Sequence, residues 1–134
     1  MFEKIKKLCS ELKVDIPTKN KDKMYTLSIN DELDITIYDK EPYIFLKGNI
    51  IEMIDSKKED LLIYLMRANL INQGTGGSKI GLSEDGKFLT LLYTMNYEIE
   101  YKEFRNELED FVNYINFYKS EVEKYKEKMN LSIL

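Results

Sequence analysis

The chain contains no histidine among its 134 residues, and this absence excludes several kinds of active site. A Ser-His-Asp triad, a histidine general base and an imidazole-ligated metal site all need that residue. The single cysteine, Cys9, excludes an internal disulfide and a thiolate zinc site within one chain. An enzyme is therefore the least expected class of function, and we expect no catalytic residues, no cofactor and no bound metal.

Long apolar segments are also missing. The longest apolar run, LLIYLM at residues 61–66, is far shorter than the roughly 20 residues that cross a bilayer. The N-terminal stretch MFEKIKKLCSEL alternates charged with apolar residues, whereas a signal peptide has a continuous apolar core. We therefore expect a cytoplasmic protein in a reducing environment, with no insertion into membranes.

Positive charge is in the minority, with 20 Lys and Arg against 24 Asp and Glu and a net charge of -4. The lysines alternate with acidic residues, as in KKED at residues 57–60 and KYKEK at residues 124–128. Proteins that bind nucleic acid concentrate positive charge on one surface, so we expect no nucleic-acid partner. The acidic balance favours partner segments that carry basic residues.

The first half of the chain predicts one helix and three strands. A three–four spacing of apolar residues over residues 2–12 indicates an amphipathic helix that ends before Pro17. Strand patterns follow over residues 24–29, 33–38 and 43–50, the third more continuously apolar than the others. Their short polar connections predict an antiparallel meander.

The second half predicts a helix, a hairpin and a long helix. Ser56 and Glu59 form a capping-box pattern, so a helix should begin near Lys57, and residues 79–95 read as a hairpin. The last helix carries apolar side chains at alternating spacings of four and three: Phe104, Leu108, Phe111, Ile115, Tyr118, Val122 and Tyr125.

The element order α-β-β-β-α-β-β-α predicts an α+β fold with a twisted antiparallel sheet. We expect one domain over residues 1–128, followed by a C-terminal tail at residues 129–134. The tail is apolar, and it is interpreted as a disordered end, a cap on the core or an additional contact.

The glycine-rich stretch ANLINQGTGGSKIGL, residues 68–82, superficially resembles a phosphate-binding loop. A P-loop follows a strand, opens a helix and contains Gly-Lys-Ser/Thr. Here the glycines follow a predicted helix, precede a predicted strand and lack that triplet. We interpret Gly74, Gly76 and Gly77 as a helix C-cap and a turn with positive φ.

Other polar candidates favour structural roles. The acidic clusters at residues 31–34 and 98–100 could supply an acid–base pair or a hard-cation site, but each lies at a predicted turn or strand edge without a partner of another kind. A better explanation is that these charged residues keep exposed strand edges soluble. Cys9 shares a helix face with apolar residues, which is typical of a small buried hydrophobe.

The chain has a surplus of apolar residues for one small domain. The second predicted helix is apolar on nearly all sides, so it must be buried on more than one side. The strand after the glycine run adds Ile80 and Leu82 beside Leu89 and Leu91. A two-fold homodimer would cover this surface, although ordinary core packing would explain the same pattern.

A second apolar surface is predicted at the first helix and the strand that carries Leu33, Ile35 and Ile37. We expect these residues to lie near a free edge of the sheet. Such an edge can pair with an extended peptide through main-chain hydrogen bonds, while side chains of the peptide enter neighbouring pockets.

One long segment, LLIYLMRANLINQGTGGSKIGLSEDGKFLTLLYTM, combines a helix ending in Ala-Asn-Leu, a Gly-Thr-Gly-Gly turn, a Gly-Leu strand and a leucine-rich hairpin. It resembles the class I type III secretion chaperones, the CesT-like family, and the similarity extends from INDELDITI to EFRNELEDFVNYINFY. The matching positions are Ala68, Asn69, Leu70, Gly74, Thr75, Gly76, Gly77, Gly81, Leu82, Gly86, Leu89 and Leu91.

The resemblance implies a homodimeric, non-catalytic protein in the cytoplasm of a Gram-negative bacterium. Members of the family hold the N-terminal segment of one or more secreted effectors in extended form, soluble and competent for the secretion ATPase and sorting apparatus. Some relatives pair with a different chaperone, so a heterodimer stays open. The alternative is a small-ligand-binding or regulatory dimeric α+β domain with a deep pocket under the sheet, or a purely structural oligomer.

Two sets of site residues follow. The apolar faces of the first helix and second strand predict contacts with the effector at Phe2, Ile5, Leu12, Leu33, Ile35 and Ile37. The resemblance implies dimer contacts mainly from the second helix and the strand after the glycine turn. With the apolar residues of the following strand, this predicts an interface at Leu61, Leu65, Met66, Leu70, Ile80, Leu82, Leu89 and Leu91.

Overall fold

The computed structural model describes residues 1–17, 23–30, 32–54, 58–71 and 77–133. Within these residues the predicted α+β element order is confirmed. The elements are α1 (Phe2–Leu12), β1 (Met24–Asn30), β2 (Leu33–Lys40), β3 (Tyr43–Glu52), α2 (Lys58–Ile71), β4 (Lys79–Leu82), β5 (Phe88–Asn96) and α3 (Tyr101–Ile133).

The five strands form one antiparallel sheet in the order β1-β2-β3-β5-β4. The predicted meander is confirmed, because β1 pairs with β2 and β2 pairs with β3. The strands at the two edges are β1 and β4. The expectation that the strand bearing Leu33, Ile35 and Ile37 has a free edge is wrong, because β2 lies between β1 and β3 and both of its sides are paired.

One face of the sheet is covered by α1 and α3, and it forms the core. Strand side chains alternate between faces, so every second residue points toward these helices. Ile35, opposite Leu27 in β1 and Gly48 in β3, has no exposed surface. The fully buried strand side chains on this face are Leu27, Ile35, Ile37, Ile44, Leu46, Leu89 and Leu91.

The long helix α3 supplies the largest cover over the sheet. Its predicted stripe is confirmed, since Phe104, Leu108, Phe111, Ile115, Tyr118 and Val122 are buried and Tyr125 is half-buried. The helix backbone continues through Ile133, across the boundary expected at residue 128. No helix in the described part of the chain combines the length and apolar character that crossing a membrane requires.

The helix α2 lies beside β4 at one edge of the sheet. Leu61 and Leu65 are buried against the rest of the protein. Gly77 has a φ of 90°, which is the positive value predicted for the turn before β4. Ser56, predicted to cap the helix, and Gly74 and Gly76 lie outside the described residues.

Candidate partner-binding surfaces

The helix α1 exposes apolar side chains at both of its ends. Its Ile5, Leu8 and Cys9 are buried, whereas Phe2 is 43% exposed and Leu12 is 49% exposed. Phe2 stacks on Tyr25 of β1, with 6.2 Å between the ring centroids. The buried side of α1 packs in the core, and the ring contact with Tyr25 places the exposed Phe2 beside β1.

The structure separates the six predicted effector contacts into two groups. Phe2 and Leu12 lie on the surface and stay available to a partner. The other four are covered in the core: Ile5, Leu33, Ile35 and Ile37. The sequence pattern could not make this distinction, since an apolar position that faces the sheet and one that faces a partner have the same spacing.

At the outer edge of β1, no described residue pairs with the backbone groups of Thr26 and Ser28. The N–H of Asp39 in β2 donates to the C=O of Lys23 at 3.0 Å, and the register then pairs Tyr25 with Ile37. Backbone groups alternate in direction along a strand, so those of Thr26 and Ser28 point away from β2. An extended segment lying beside β1 would meet these N–H and C=O groups.

The edge of β4 is different, because a side chain of α2 occupies it. The side-chain amide of Asn69 accepts a hydrogen bond from the Ile80 N–H at 2.7 Å and donates to the Ile80 C=O at 2.8 Å. The ammonium group of Lys79 donates to the backbone C=O of Asn69 at 3.3 Å. These bonds join the last turn of α2 to the outer side of β4.

The surface formed by α2 and β4 is apolar on its exposed side. We define the α2–β4 surface by Ile63, Met66 and Leu82, which are 53%, 45% and 48% exposed. Tyr64, also exposed, donates a hydrogen bond to Glu121 of α3 at 3.1 Å. Some apolar residues of α2 therefore pack into the protomer core, and others are exposed to solvent.

The predicted dimer residues also fall into two groups. Met66 and Leu82 lie on the α2–β4 surface. The side chain of Leu70 is not among those that the structure describes. The remaining five are buried within the protomer: Leu61, Leu65, Ile80, Leu89 and Leu91. Sequence reasoning missed Ile63, whose only signal was its place in a helix with apolar residues on all sides.

An acidic groove of about 440 Å³ lies where β5 leads into α3. Its lining includes Glu98, Glu100, Glu103 and Glu107 together with Tyr93. Burial raises the pKa of Glu107, with the charges of Glu103 and Asp110 acting in the same direction and a hydrogen bond from Tyr93 opposing them. The glutamates of the lining make the groove acidic.

The remaining polar candidates have structural roles where the structure describes them. The carboxylate of Glu32 pairs with Lys119 of α3 at 3.3 Å, and the Ser28 hydroxyl donates to Asp34 at 2.8 Å. Cys9 is fully buried, and burial raises the pKa of its thiol, so the thiolate form is disfavoured. Among the described residues, no three cysteine or acidic side chains are grouped as metal ligands.

The model of the Tir chaperone protein (CesT) family matches residues 3–118. Comparison with curated protein sequences found no match.

Similar solved structures share the fold at low sequence identity. The ExsC–ExsE complex contains a chain with a TM-score of 0.76 and 10% identity, which covers 89% of this chain and 90% of that one. The type III secretion chaperone SycH of Yersinia pestis, in complex with a stable fragment of YscM2, has a TM-score of 0.65 and 14% identity. The match covers 86% of this chain and 97% of that one. YbjN, a putative transcription regulator from E. coli, has a TM-score of 0.64 and 14% identity, and the match covers 94% of this chain and 93% of that one. At such identities the likeness concerns the fold alone.

Proposed function

Because the chain belongs to the Tir chaperone protein (CesT) family, we propose that it is a type III secretion chaperone. It binds the N-terminal segment of one or more effectors in extended form, which keeps them soluble and ready for secretion. The match to the family model over residues 3–118 is the observation that carries this proposal. The fold alone would not be enough, since a putative transcription regulator shares it.

The effector segment binds along β1 and the exposed ends of α1. Its backbone pairs with the outward groups of Thr26 and Ser28, and its apolar side chains pack on Phe2 and Leu12. Ordering a disordered segment costs roughly 2–5 kcal/mol of the gross interaction energy. Apolar burial at about 25 cal/mol per Å² offsets that cost without ATP, since each 100 Å² buried returns about 2.5 kcal/mol.

The α2–β4 surface forms the contact between two subunits. Ile63 and Met66 of α2 and Leu82 of β4 expose apolar side chains on neighbouring elements, and exposed apolar surface of this kind is typical of an interface. A two-fold homodimer is the commonest arrangement and would place two effector surfaces on one particle. A heterodimer with a second chaperone would use the same surface and would show two chains on purification.

The protein acts by binding, without catalysis, as the family is one of non-enzymatic chaperones. It acts in the cytoplasm of a Gram-negative bacterium, where it holds the effector before export. The effector then passes to the secretion ATPase and sorting apparatus. The small-ligand alternative predicts a deep cavity that contains a few polar groups. The acidic groove carries four glutamates instead, and a basic effector segment fits it better.

The decisive experiment is purification of the tagged chain from its host, followed by mass spectrometry and light scattering. A stoichiometric partner retained through its N-terminal region by a dimer is the expected result. If no secreted protein is retained under conditions that induce secretion, the proposed function is wrong.

A pair of variants tests the binding mode in the same experiment. Thr26→Pro removes an outward N–H that β2 does not use, while Thr26→Ala keeps it. The proline variant should release the effector and the alanine variant should retain it. Equal retention by both variants would mean that the effector does not pair with β1, although the chaperone function would stand.

A further inference from the structure

The contact between Asn69 and Ile80 has a geometry that suggests a role beyond fixing α2. A carboxamide presents one acceptor and one donor side by side, as a peptide group does. Here Oδ1 of Asn69 receives the Ile80 N–H at 2.7 Å, and Nδ2 donates to the Ile80 C=O at 2.8 Å. The side chain therefore makes the two hydrogen bonds that a neighbouring strand would otherwise make.

These two backbone groups point away from the sheet. The strand β4 pairs with β5 on its other side, and the N–H of Ser83 donates to Phe88 in that direction. Backbone direction alternates along a strand, so Ile80 and Leu82 face the open side of β4. The strand β4 has only four residues, so Ile80 and Leu82 are its two outward positions. The side chain of Asn69 hydrogen-bonds the backbone groups of Ile80.

We infer that Asn69 closes the β4 edge to strand addition, so that an extended partner segment adds to the described sheet at β1. An uncovered edge strand is a template for pairing with any other chain, and proteins block such edges with short strands or covering groups. A strand arriving at β4 would find one outward residue, Leu82, and would first have to displace the amide. At β1, none of the residues that the structure describes competes for the outward groups of Thr26 and Ser28.

This inference deepens the proposed function, and it rests on that function only for the nature of the segment that adds at β1. The closure itself is a property of the chain alone. Its test therefore uses the full-length chain without an effector, so that failure of the closure and failure of the chaperone function give separate results.

The first measurement is hydrogen exchange of the Ile80 amide in Asn69→Leu and Asn69→Asp. Leucine removes both hydrogen bonds at similar volume, and aspartate keeps an acceptor for the Ile80 N–H while placing an oxygen against the Ile80 C=O. We expect exchange of this amide to become roughly tenfold faster in Asn69→Leu, because the bond's net contribution approaches one factor of ten. Unchanged exchange in both variants would overturn the inference.

The second measurement is sedimentation over a range of protein concentrations. Asn69→Leu should form larger species as concentration rises, because the freed β4 edges pair with each other. Arg67→Leu is the matched control, since it adds the same side chain at an exposed position of α2 and leaves the amide in place. If Asn69→Leu does not fold, Asn69→Ala, which also removes both hydrogen bonds, is measured in its place, and it should show the same association.

A second-site change identifies the edge that associates. Leu82→Pro removes the outward N–H of β4, and proline is tolerated at an edge strand where its missing N–H faces solvent. The variant with both Asn69→Leu and Leu82→Pro should sediment as Leu82→Pro does. Larger species that persist in the double variant, or that also form with Arg67→Leu, would contradict closure by Asn69.

Discussion

The Cδ1 atom of Ile115 lies 2.6 Å from the position that a Cβ atom on Gly48 would take. On the same strand face, Cδ1 of Ile35 lies 3.0 Å from that position. Gly48 is in β3 and Ile115 is in α3, so the long helix crosses the sheet where the strand has no side chain. This close approach packs α3 against the centre of the sheet and buries the core side chains between them.

Gly48→Ala should destabilise the protein even though alanine suits a strand better than glycine. Forcing a methyl group between Ile115 and Ile35 costs about 1–3 kcal/mol, whereas the reduced freedom of the unfolded chain returns about 0.4–1 kcal/mol. We expect a net loss of about 1 kcal/mol in urea unfolding. Adding Ile115→Val removes the clashing Cδ1, so the double variant should lose less than the sum of the single losses. Strict additivity would show that the helix moves aside instead.

Tyr101→Phe should weaken the attachment of α1 to α3 in a pH-dependent way. The Tyr101 hydroxyl donates to Glu11 at 2.7 Å, and Arg105 pairs with the same carboxylate at 3.1 Å. Burial, followed by the bond and charge of Glu11, raises the pKa of Tyr101 from 10.0 to about 12. The stability from this phenol is therefore fully present below pH 10.0 and is lost as the pH rises through about 12.

The expected loss in Tyr101→Phe is about 0.5–1 kcal/mol near neutral pH, since the carboxylate is partly exposed and screened by solvent. The difference from the unmodified chain should shrink at high pH, measured by urea unfolding along a pH series. Glu11→Gln keeps an acceptor for the hydroxyl and should lose less at neutral pH. A difference that is constant across the series would mean that the phenol proton has no part in the attachment.

Glu107→Gln should stabilise the protein near neutral pH. Burial raises the pKa of Glu107 above 4.5, so the ionised form is disfavoured in the folded state. Stability then falls as the pH rises through the interval above 4.5, and glutamine removes this loss while still accepting the bond from Tyr93. The urea midpoint should rise near pH 7 and stay unchanged near pH 4. Exposed Glu109→Gln is the control, and an equal effect of both changes would contradict the role of burial.

Met66→Glu and Leu82→Glu should convert the proposed dimer to monomers that remain folded. Both side chains are exposed in the protomer, and enclosing an unpaired carboxylate in an interface should weaken association roughly hundredfold. Light scattering reads the mass, and circular dichroism checks the fold. Tyr43→Glu, at an exposed apolar position on β3, should leave the mass unchanged. A dimer that survives both interface changes would place the contact elsewhere.

Burial also decides which interface variants are informative. From the sequence alone, Leu65 and Ile80 are the natural targets, because they belong to the apolar helix and the strand after the glycine run. Both are buried in the protomer, so a charge at either site would unfold the chain rather than separate two subunits. The exposed neighbours Met66 and Leu82 are the informative positions.

Local pattern predicted the elements well because the determining forces act over a few residues. The four–three spacing predicted the buried stripe of α3, alternation predicted β1 and β2, and a more continuously apolar run predicted β3. The homology signal was also local, since the segment around Asn69 and the glycine turn carried the family resemblance. The order of strands in the sheet was different, because β5 returns to pair with β3 and leaves β4 outside.

The element order, the α+β class, the family and the absence of histidine chemistry all follow from the order of the residues. Which apolar side chains are left for partners depends on how the elements pack together. Ile35 and Phe2 both occupy apolar positions in periodic elements, yet one is fully buried and the other is 43% exposed. Periodicity records which side of an element is apolar, whereas exposure depends on what packs against that side. The open edge at β1 and the edge closed by Asn69 at β4 likewise arise from pairings between distant parts of the chain.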